Sequence, residues 1–252
     1  MDEVEFDYEE GRIDRSSASL EPNPFDLNAL EEAVRYKEEM GGEIIAVSMG
    51  PKQAESTVRE ALARGADRGI LLSGKKFAGS DTWATSLALA HAAKKLGNPD
   101  IIFCGEKTVD GDTGQVGPEI AEFLNLPHAC YVSAITRRGK KSMEASSDAW
   151  RSTYSKNLSL PALITVTKDI NHPRLPYFKD KKKARNADIE IWDTQDLSID
   201  ESSLGIKGSP TYVSQTEIPP PEKRETKLFR DEPGEAVSKL LKELNITGEA
   251  VK

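Results

Sequence analysis

Through the middle of the chain, short apolar runs rich in branched residues alternate with longer stretches of helical period, the pattern of an α/β fold. Four runs read as strands buried on both faces, as a parallel sheet requires: Glu43-Ile-Ile-Ala-Val-Ser-Met49, Gly69-Ile-Leu-Leu-Ser73, Asp100-Ile-Ile-Phe-Cys-Gly105 and Ala129-Cys-Tyr-Val-Ser-Ala-Ile135. Four helices are expected between and before them. Asp26 is placed to cap the first, whose Leu27, Leu30, Val34 and Met40 lean to one side before Gly41-Gly42 ends it. Pro51 suits a first helical turn, and that helix runs to Gly65. Ser80 or Asp81 caps a third, with Trp83, Leu87, Ala90 and Ala93 at helical spacing before Gly97. The fourth begins near Gly114 to Pro118 and stops at Asn125-Leu-Pro127.

Strands linked by helical crossovers make a mostly parallel, doubly wound sheet whose ligand edge lies at the strands' C-terminal ends. Before Pro24 the chain is polar and turn-rich, with only the alternating Val4, Phe6 and Tyr8 of a hairpin or edge strand. After residue 137, Arg137-Arg-Gly-Lys-Lys is a hairpin candidate and Leu160-Pro-Ala-Leu-Ile-Thr-Val-Thr167 a further strand. Residues 169–186 read as a basic, proline-bearing loop, and Leu204 to Arg224 as a Gly/Pro/Ser-rich stretch. The expected division is an α/β domain over 1–185 and an extended arm over 186–252, closed by a helix from Pro233 to Leu244.

Charge narrows the functional classes. Asp and Glu number 42 against 34 Lys and Arg, a net charge of −8, which disfavours bulk nucleic-acid binding. No run approaches the roughly 18 consecutive apolar residues of a membrane span. The acidic opening lacks the features of a secretory signal, so the expected location is cytoplasmic and Cys104 and Cys130 are expected as free, packed thiols. His91, His128 and His172 show no metal-ligand spacing, no dyad or triad is apparent, and no general acid or base is nominated. Trp83, Trp150 and Trp192 read as packing residues.

The chemistry concentrates in Cys104-Gly-Glu-Lys-Thr-Val-Asp-Gly-Asp-Thr-Gly-Gln-Val-Gly-Pro118, where a strand end, a glycine-rich turn and a helix start coincide. Gly105, Gly111 and Gly114 let backbone approach an anion, and unpaired amides at the helix start favour negative charge. Thr113 and Gln115 add side-chain donors. Two readings stand: an anion site, or a tight turn with Asp112 capping the helix. Asp110 and Asp112 sit poorly beside a bare phosphate but accept ribose hydroxyls, which favours a whole nucleotide. Neither a Gly-x-Gly-x-x-Gly pattern nor a Walker A loop is present.

Asp110-Gly-Asp-Thr-Gly-Gln-Val-Gly-Pro118, followed by Glu119-Ile-Ala-Glu, resembles the signature of the beta subunits of electron transfer flavoproteins. Asn23-Pro-Phe-Asp26 with Ala29-Leu-Glu-Glu-Ala33, Ser48-Met-Gly-Pro51, Ala61 to Asp67, Ala78-Gly-Ser-Asp-Thr82 and Leu160-Pro-Ala162 follow in the family's order. The resemblance implies a Rossmann-like, adenine-nucleotide-binding fold that pairs with a flavin-carrying alpha subunit. It implies nucleotide contacts from Asn23, Pro24, Phe25, Asp26 and Met49, then from Gly105, Glu106, Lys107, Thr108, Val109, Asp110, Gly111, Asp112, Thr113, Gly114, Gln115 and Val116. One branch of the family holds structural AMP there. The other holds a second FAD that takes hydride from NADH and divides the electrons between a dehydrogenase and a low-potential acceptor, ferredoxin or flavodoxin. The loop, together with Leu204-Gly-Ile-Lys-Gly-Ser-Pro-Thr211, looks like the second branch.

The same resemblance places Pro173, Arg174, Leu175, Pro176, Tyr177 and Phe178 in the loop that docks on acyl-CoA dehydrogenases and related flavoenzymes, with Phe178 at the anchoring position. The bland alternative is that Leu175 and Phe178 pack on a subunit body. Lys179-Asp-Lys-Lys-Lys-Ala-Arg185 reads as a solvated basic run that also suits steering of acidic partners. One departure matters. Family members open with an apolar strand before the segment that follows Met1 here, so a first strand is expected to be missing. An ATP-hydrolysing or ATP-dependent transfer enzyme of the same layout is the alternative of another class; it needs cations aimed at a triphosphate, and the loop offers Lys107 beside two carboxylates.

Overall fold

The computed structural model describes residues 6–7, 12–13, 21–149, 151–214 and 226–244. In chain order these form a short hairpin, β1 (Phe6–Asp7) and β2 (Arg12–Ile13), then α1 (Pro24–Met40), β3 (Ile45–Met49), α2 (Glu55–Arg64) and β4 (Arg68–Leu72). Next come α3 (Thr82–Lys95), β5 (Ile101–Gly105), α4 (Val116–Leu124), β6 (His128–Arg137), β7 (Ser142–Ala149), β8 (Ser152–Ser159) and β9 (Ala162–Val166). The last elements are α5 (Phe178–Arg185), β10 (Glu190–Trp192), α6 (Gly205–Gly208) and α7 (Pro233–Glu243). The chain divides into two compact units, Met1–Ser214 and Gln215–Lys252. Within the second, α7 runs almost to the expected Leu244.

The sequence pattern places the central elements well, and local chemistry explains the boundaries. Helix α1 starts two residues before Asp26: Asn23 is its N-cap position and Pro24 its first residue, where a missing N–H costs nothing. Asp26 does not cap the helix, because its carboxylate is taken by another segment. Asp81 does cap α3, accepting the Ala84 amide at 3.1 Å. Helix α4 ends at Asn125 in the left-handed conformation, a common C-terminal stop.

Strands β4 and β9 are buried along their whole length, as expected of parallel strands covered on both faces. The expectation of full burial fails for β6, which alternates because its second half pairs antiparallel with β7. The hairpin expected at Arg137-Arg-Gly-Lys-Lys joins β6 to β7, but the length of β7 and the whole of β8 were not expected. Their sequences, Ser-Met-Glu-Ala-Ser-Ser-Asp-Ala and Ser-Thr-Tyr-Ser-Lys-Asn-Leu-Ser, carry too few apolar residues to show a strand period. The basic run that was read as a loop is helix α5, anchored by the buried Ala184. The expected domain boundary at 185 also moves. Trp192, Leu197 and Leu204 are buried with Ile70, Leu72 and Phe77, and β10 pairs with β4, so the first unit continues to Ser214. Trp150 and residues 215–225 lie outside the described residues, as do Val4 and Tyr8; Phe6 falls in the β1–β2 hairpin.

The strands form two larger sheets, β10-β4-β3, all parallel, and β5-β9-β6-β7-β8, parallel as far as β6. Among the described residues no ladder joins β3 to β5. The helices nevertheless run across that break. Helix α1 packs on β5 and β9 and touches α2, which covers β3 and β4; α3 packs on both β3 and α4, which covers β9 and β6. All residues of β3 and β5 are only half-buried. Among the described residues each therefore carries one edge of backbone N–H and C=O groups without a ladder partner, and such groups are costly unless water or another strand satisfies them.

Hydrogen exchange checks this arrangement: amides of β3 and β5 that face away from β4 and β9 should exchange much faster than any amide of β4 or β9. Equal protection in all four strands would mean that another segment covers the two edges.

Candidate functional site

The C-terminal end of β5 and the first turn of α1 are built against each other. A β-carbon at Gly105 would lie 2.7 Å from Phe25 Cβ and 2.8 Å from its carbonyl carbon, so only glycine lets the helix come this close. In that contact the Gly105 amide donates to Asp26 Oδ1 at 2.7 Å. Asn23 completes the junction: its Nδ2 donates to Lys107 O at 2.8 Å and to Asp26 Oδ2 at 2.9 Å, and its Oδ1 accepts the Val109 amide at 3.3 Å. Two of the segments singled out from sequence, 23–26 and 105–109, thus form one structure.

Electrostatics at the junction oppose one another. Burial pushes the Asp26 carboxyl above its ordinary value, against the lowering effect of the Asn23 and Gly105 hydrogen bonds. Burial, with Asp26 and Cys130 nearby, pushes the Cys104 thiol up to about 12. Cys130 shifts the same way, again chiefly through burial, and both cysteines are free. Neither is poised as a thiolate. Burial likewise raises the Glu106 carboxyl, opposed by Lys107.

Beyond Val109 the loop folds on itself. Gly111 N–H donates to Asp110 Oδ1 at 2.9 Å, and Asp112 N–H to Thr108 O at 2.9 Å. Asp112 does not cap α4. It takes a left-handed φ of 52° and pairs with Lys107 at 2.6 Å. Gly114 also has positive φ, 65°. No side chain caps the N-terminus of α4 or of α1, because Asn23 spends its side chain on the loop. Gln115 is held from the neighbouring helix, with Thr82 Oγ1 donating to its Oε1 at 3.0 Å, while Ser86 Oγ donates to Glu119 Oε2 at 2.8 Å. Met49 ends β3 and packs towards Ile70 and Leu72; among the described residues no hydrogen bond ties it to the loop.

Thr82 and Ser86 were not nominated from sequence, although Thr82 closes one of the matched motifs. Tyr131 was missed too, since it read as an ordinary strand residue. Trp192 is a packing residue as expected, lying under Lys95. Trp83 packs edge-on to Phe123 at 4.8 Å yet stays about half exposed. Among the described residues no group of three His, Cys, Asp or Glu is arranged to hold a metal ion, and no helix is long and apolar enough to cross a membrane.

The segment 173–178 sits apart from this loop but on the same helix. Arg174 grips α1 through Glu31, with Nε to Oε2 at 2.8 Å, and through Glu38, with Nη1 to Oε1 at 2.6 Å. Burial works to raise the Glu31 carboxyl, but Arg174 outweighs it and the net shift is downward. Arg64 donates to Arg174 O at 2.6 Å, and Arg59 to the carbonyls of Ala184, Arg185 and Ala187 at the end of α5. Between these anchors Leu175, Tyr177 and Phe178 are 81, 73 and 82 % exposed. They do not pack on the body of this unit, which removes half of the bland alternative for them.

An open, mostly parallel α/β sheet with a glycine-rich turn and two uncapped helix starts at its C-terminal edge defines a nucleotide-binding-like α/β protein. The family model for the electron transfer flavoprotein domain matches residues 11–197. The electron transfer flavoprotein subunit beta of Thermoanaerobacterium thermosaccharolyticum is 44 % identical over 88 % of this chain and 85 % of that protein. Protein FixA of Azotobacter vinelandii is 41 % identical over 82 % of the chain and 76 % of that protein. The caffeyl-CoA reductase-Etf complex subunit CarD of Acetobacterium woodii is 38 % identical over 86 and 83 %. The chain belongs to the electron transfer flavoprotein beta-subunit family.

Replacing Asn23 by Ala removes two hydrogen bonds that join α1 to the loop and one to Asp26, and should cost about 1–2 kcal/mol. The midpoint of chemical unfolding should fall with its slope unchanged; an unaltered midpoint would contradict the junction.

Proposed function

We propose that the chain is the beta subunit of a heterodimeric electron transfer flavoprotein and holds FAD at the loop 105–116. The observation that carries the reading is the meeting of two uncapped helix starts, α1 and α4, at one glycine-rich loop. At the start of α1 Pro24 has no N–H and the amides of Asp26 and Leu27 bond to Asn23 O, so the first-turn amides of α4 are the ones that suit the pyrophosphate of a dinucleotide, and the carboxylates of Asp110 and Asp112 suit hydroxyls of its sugar. FAD, when bound, would supply hydride acceptance from NADH and onward transfer to a dehydrogenase and to a low-potential acceptor such as ferredoxin or flavodoxin. The polypeptide's part is to bind, orient and shield. Loop composition, read against the family's two branches, favours FAD over structural AMP. The name of the Acetobacterium woodii relative places it in a reductase-Etf complex, in keeping with a flavoenzyme partner.

Triphosphate chemistry fits less well. The loop's lysine, Lys107, is already paired with Asp112, so the positive charge a triphosphate needs is neutralised locally. Leu175, Tyr177 and Phe178, held out between arginine anchors, are proposed as the docking knob for an acyl-CoA dehydrogenase or related flavoenzyme. Held in place, they lose little entropy when a partner covers them. Of the expected arm 186–252, the part beyond Ser214 is proposed to pack on the alpha subunit, and the cytoplasm is the proposed location.

Coexpression with an alpha subunit and measurement of bound flavin tests the cofactor directly. Two flavins per heterodimer are expected; one flavin with stoichiometric AMP contradicts FAD in this subunit. In the same assembly, Phe178→Ala should slow reduction of the partner flavoenzyme roughly tenfold or more with flavin content unchanged. Unaltered transfer kinetics would remove the docking role.

A further inference from the structure

Strand β6 contains one residue in a conformation that an aromatic side chain rarely adopts. Tyr131 has φ 57°, in the left-handed region where non-glycine residues carry strain. It sits where the register between β6 and β9 shifts, between Ala129 and Val132, so the strand bulges at this point. A bulge re-aims a side chain out of the regular alternation. The surroundings maintain it. The Tyr131 amide, which the bulge takes out of the ladder, donates to Thr165 Oγ1 at 3.1 Å. Thr165 is itself 2 % exposed, and its Cγ2 packs on Gly117 in the first turn of α4. One buried threonine on β9 therefore fixes both the bulge and the helix start of the candidate site.

The bulge brings the ring to the loop. A β-carbon at Gly114 would lie 3.1 Å from the Tyr131 hydroxyl oxygen, so the phenol's polar end rests against loop backbone. About half of the residue, 47 %, is exposed. An aromatic ring held in a strained conformation, with one end against a glycine-rich loop and about half of the residue in solvent, serves no evident packing purpose.

We propose that Tyr131 is a ligand-contact residue of this site, its ring forming an aromatic wall for the planar heterocycle of the bound nucleotide. The inference rests on the reading of residues 105–116 as a nucleotide site and adds the surface that recognises a ring system, where the helix starts recognise only charge. Strain in β6 is then what keeps the wall in place before the ligand arrives.

Affinity for FAD and for AMP, measured by titration calorimetry on the coexpressed heterodimer after its nucleotides are removed, tests the proposal. Tyr131→Ala should weaken binding of the preferred nucleotide by roughly tenfold, the usual scale of an aromatic–base contact, and Tyr131→Phe should bind nearly as the parent does. Tyr131→Gly relieves the positive φ, so it should bind as weakly as Tyr131→Ala while melting no lower than the parent; this variant keeps loss of contact separate from loss of fold. Parent-like affinity in Tyr131→Ala overturns the proposal. If Gly114→Val abolishes binding while Tyr131→Ala does not, the aromatic wall is wrong and the site reading survives. If neither variant changes affinity, both fall.

Discussion

The hydrogen bond from the Gly105 amide to the Asp26 carboxylate joins the last residue of β5 to the first turn of α1, and the rest of the candidate site depends on that junction. Contact this close is possible only without a β-carbon at 105. Hydrogen bonds to a charged group contribute about 1.5–3 kcal/mol. Packing against the end of β5 pushes the Asp26 carboxyl upward, against the lowering effect of the two bonds it accepts. The junction is thus a well-defined fixture, in which Asn23 gives up the capping of its own helix to bind the loop. What results is a pair of helix starts without side-chain caps at one edge of the sheet. Perturbed carboxylates and uncapped helices cost stability, and their coincidence at one loop is the mark of a site rather than of a core.

Helix α1 links this edge to the segment proposed for docking. Its first turn lies at Gly105, and further along Glu31 and Glu38 hold Arg174. Between them Glu32, 1 % exposed, accepts from Arg35, Arg138 and Asn171, while Asn28 and Asn171 bond each other. A buried carboxylate is tolerated only with such full pairing. The helix is therefore a stiff beam, polar on the side that carries the 168–174 loop and apolar where it meets β5. The exposed trio Leu175, Tyr177 and Phe178 has a fixed base, and nothing in the first unit covers it.

Much of this was legible in the sequence. The four strands, the helices between them and the chemistry-bearing loop follow from apolar periodicity and from glycine and proline punctuation. Segments 23–26 and 105–109, found by motif, do meet. What was not legible has physical reasons. Asp26 looks like a cap, and only the tertiary contact with Gly105 diverts it. β7 and β8 carry serine and threonine where a strand pattern needs apolar alternation, and they are strands because β6 templates them. Residues 186–204 look like a linker, yet Trp192, Leu197 and Leu204 complete a core whose other half lies on β4 and α3. Tyr131 could not be found from periodicity, since its role comes from a bulge that reverses its direction. Met49 remains the one nominated segment that the described contacts do not bring to the loop, and it lies beside the open edge of β3.

The central claim is that a nucleotide occupies the edge where α1 meets β5. Its most direct test is the difference in hydrogen exchange between the coexpressed heterodimer with nucleotides removed and the same protein saturated with FAD. The account predicts slowed exchange confined in this subunit to residues 23–27 and 105–117. Protection elsewhere in the chain with none in these two segments would contradict it.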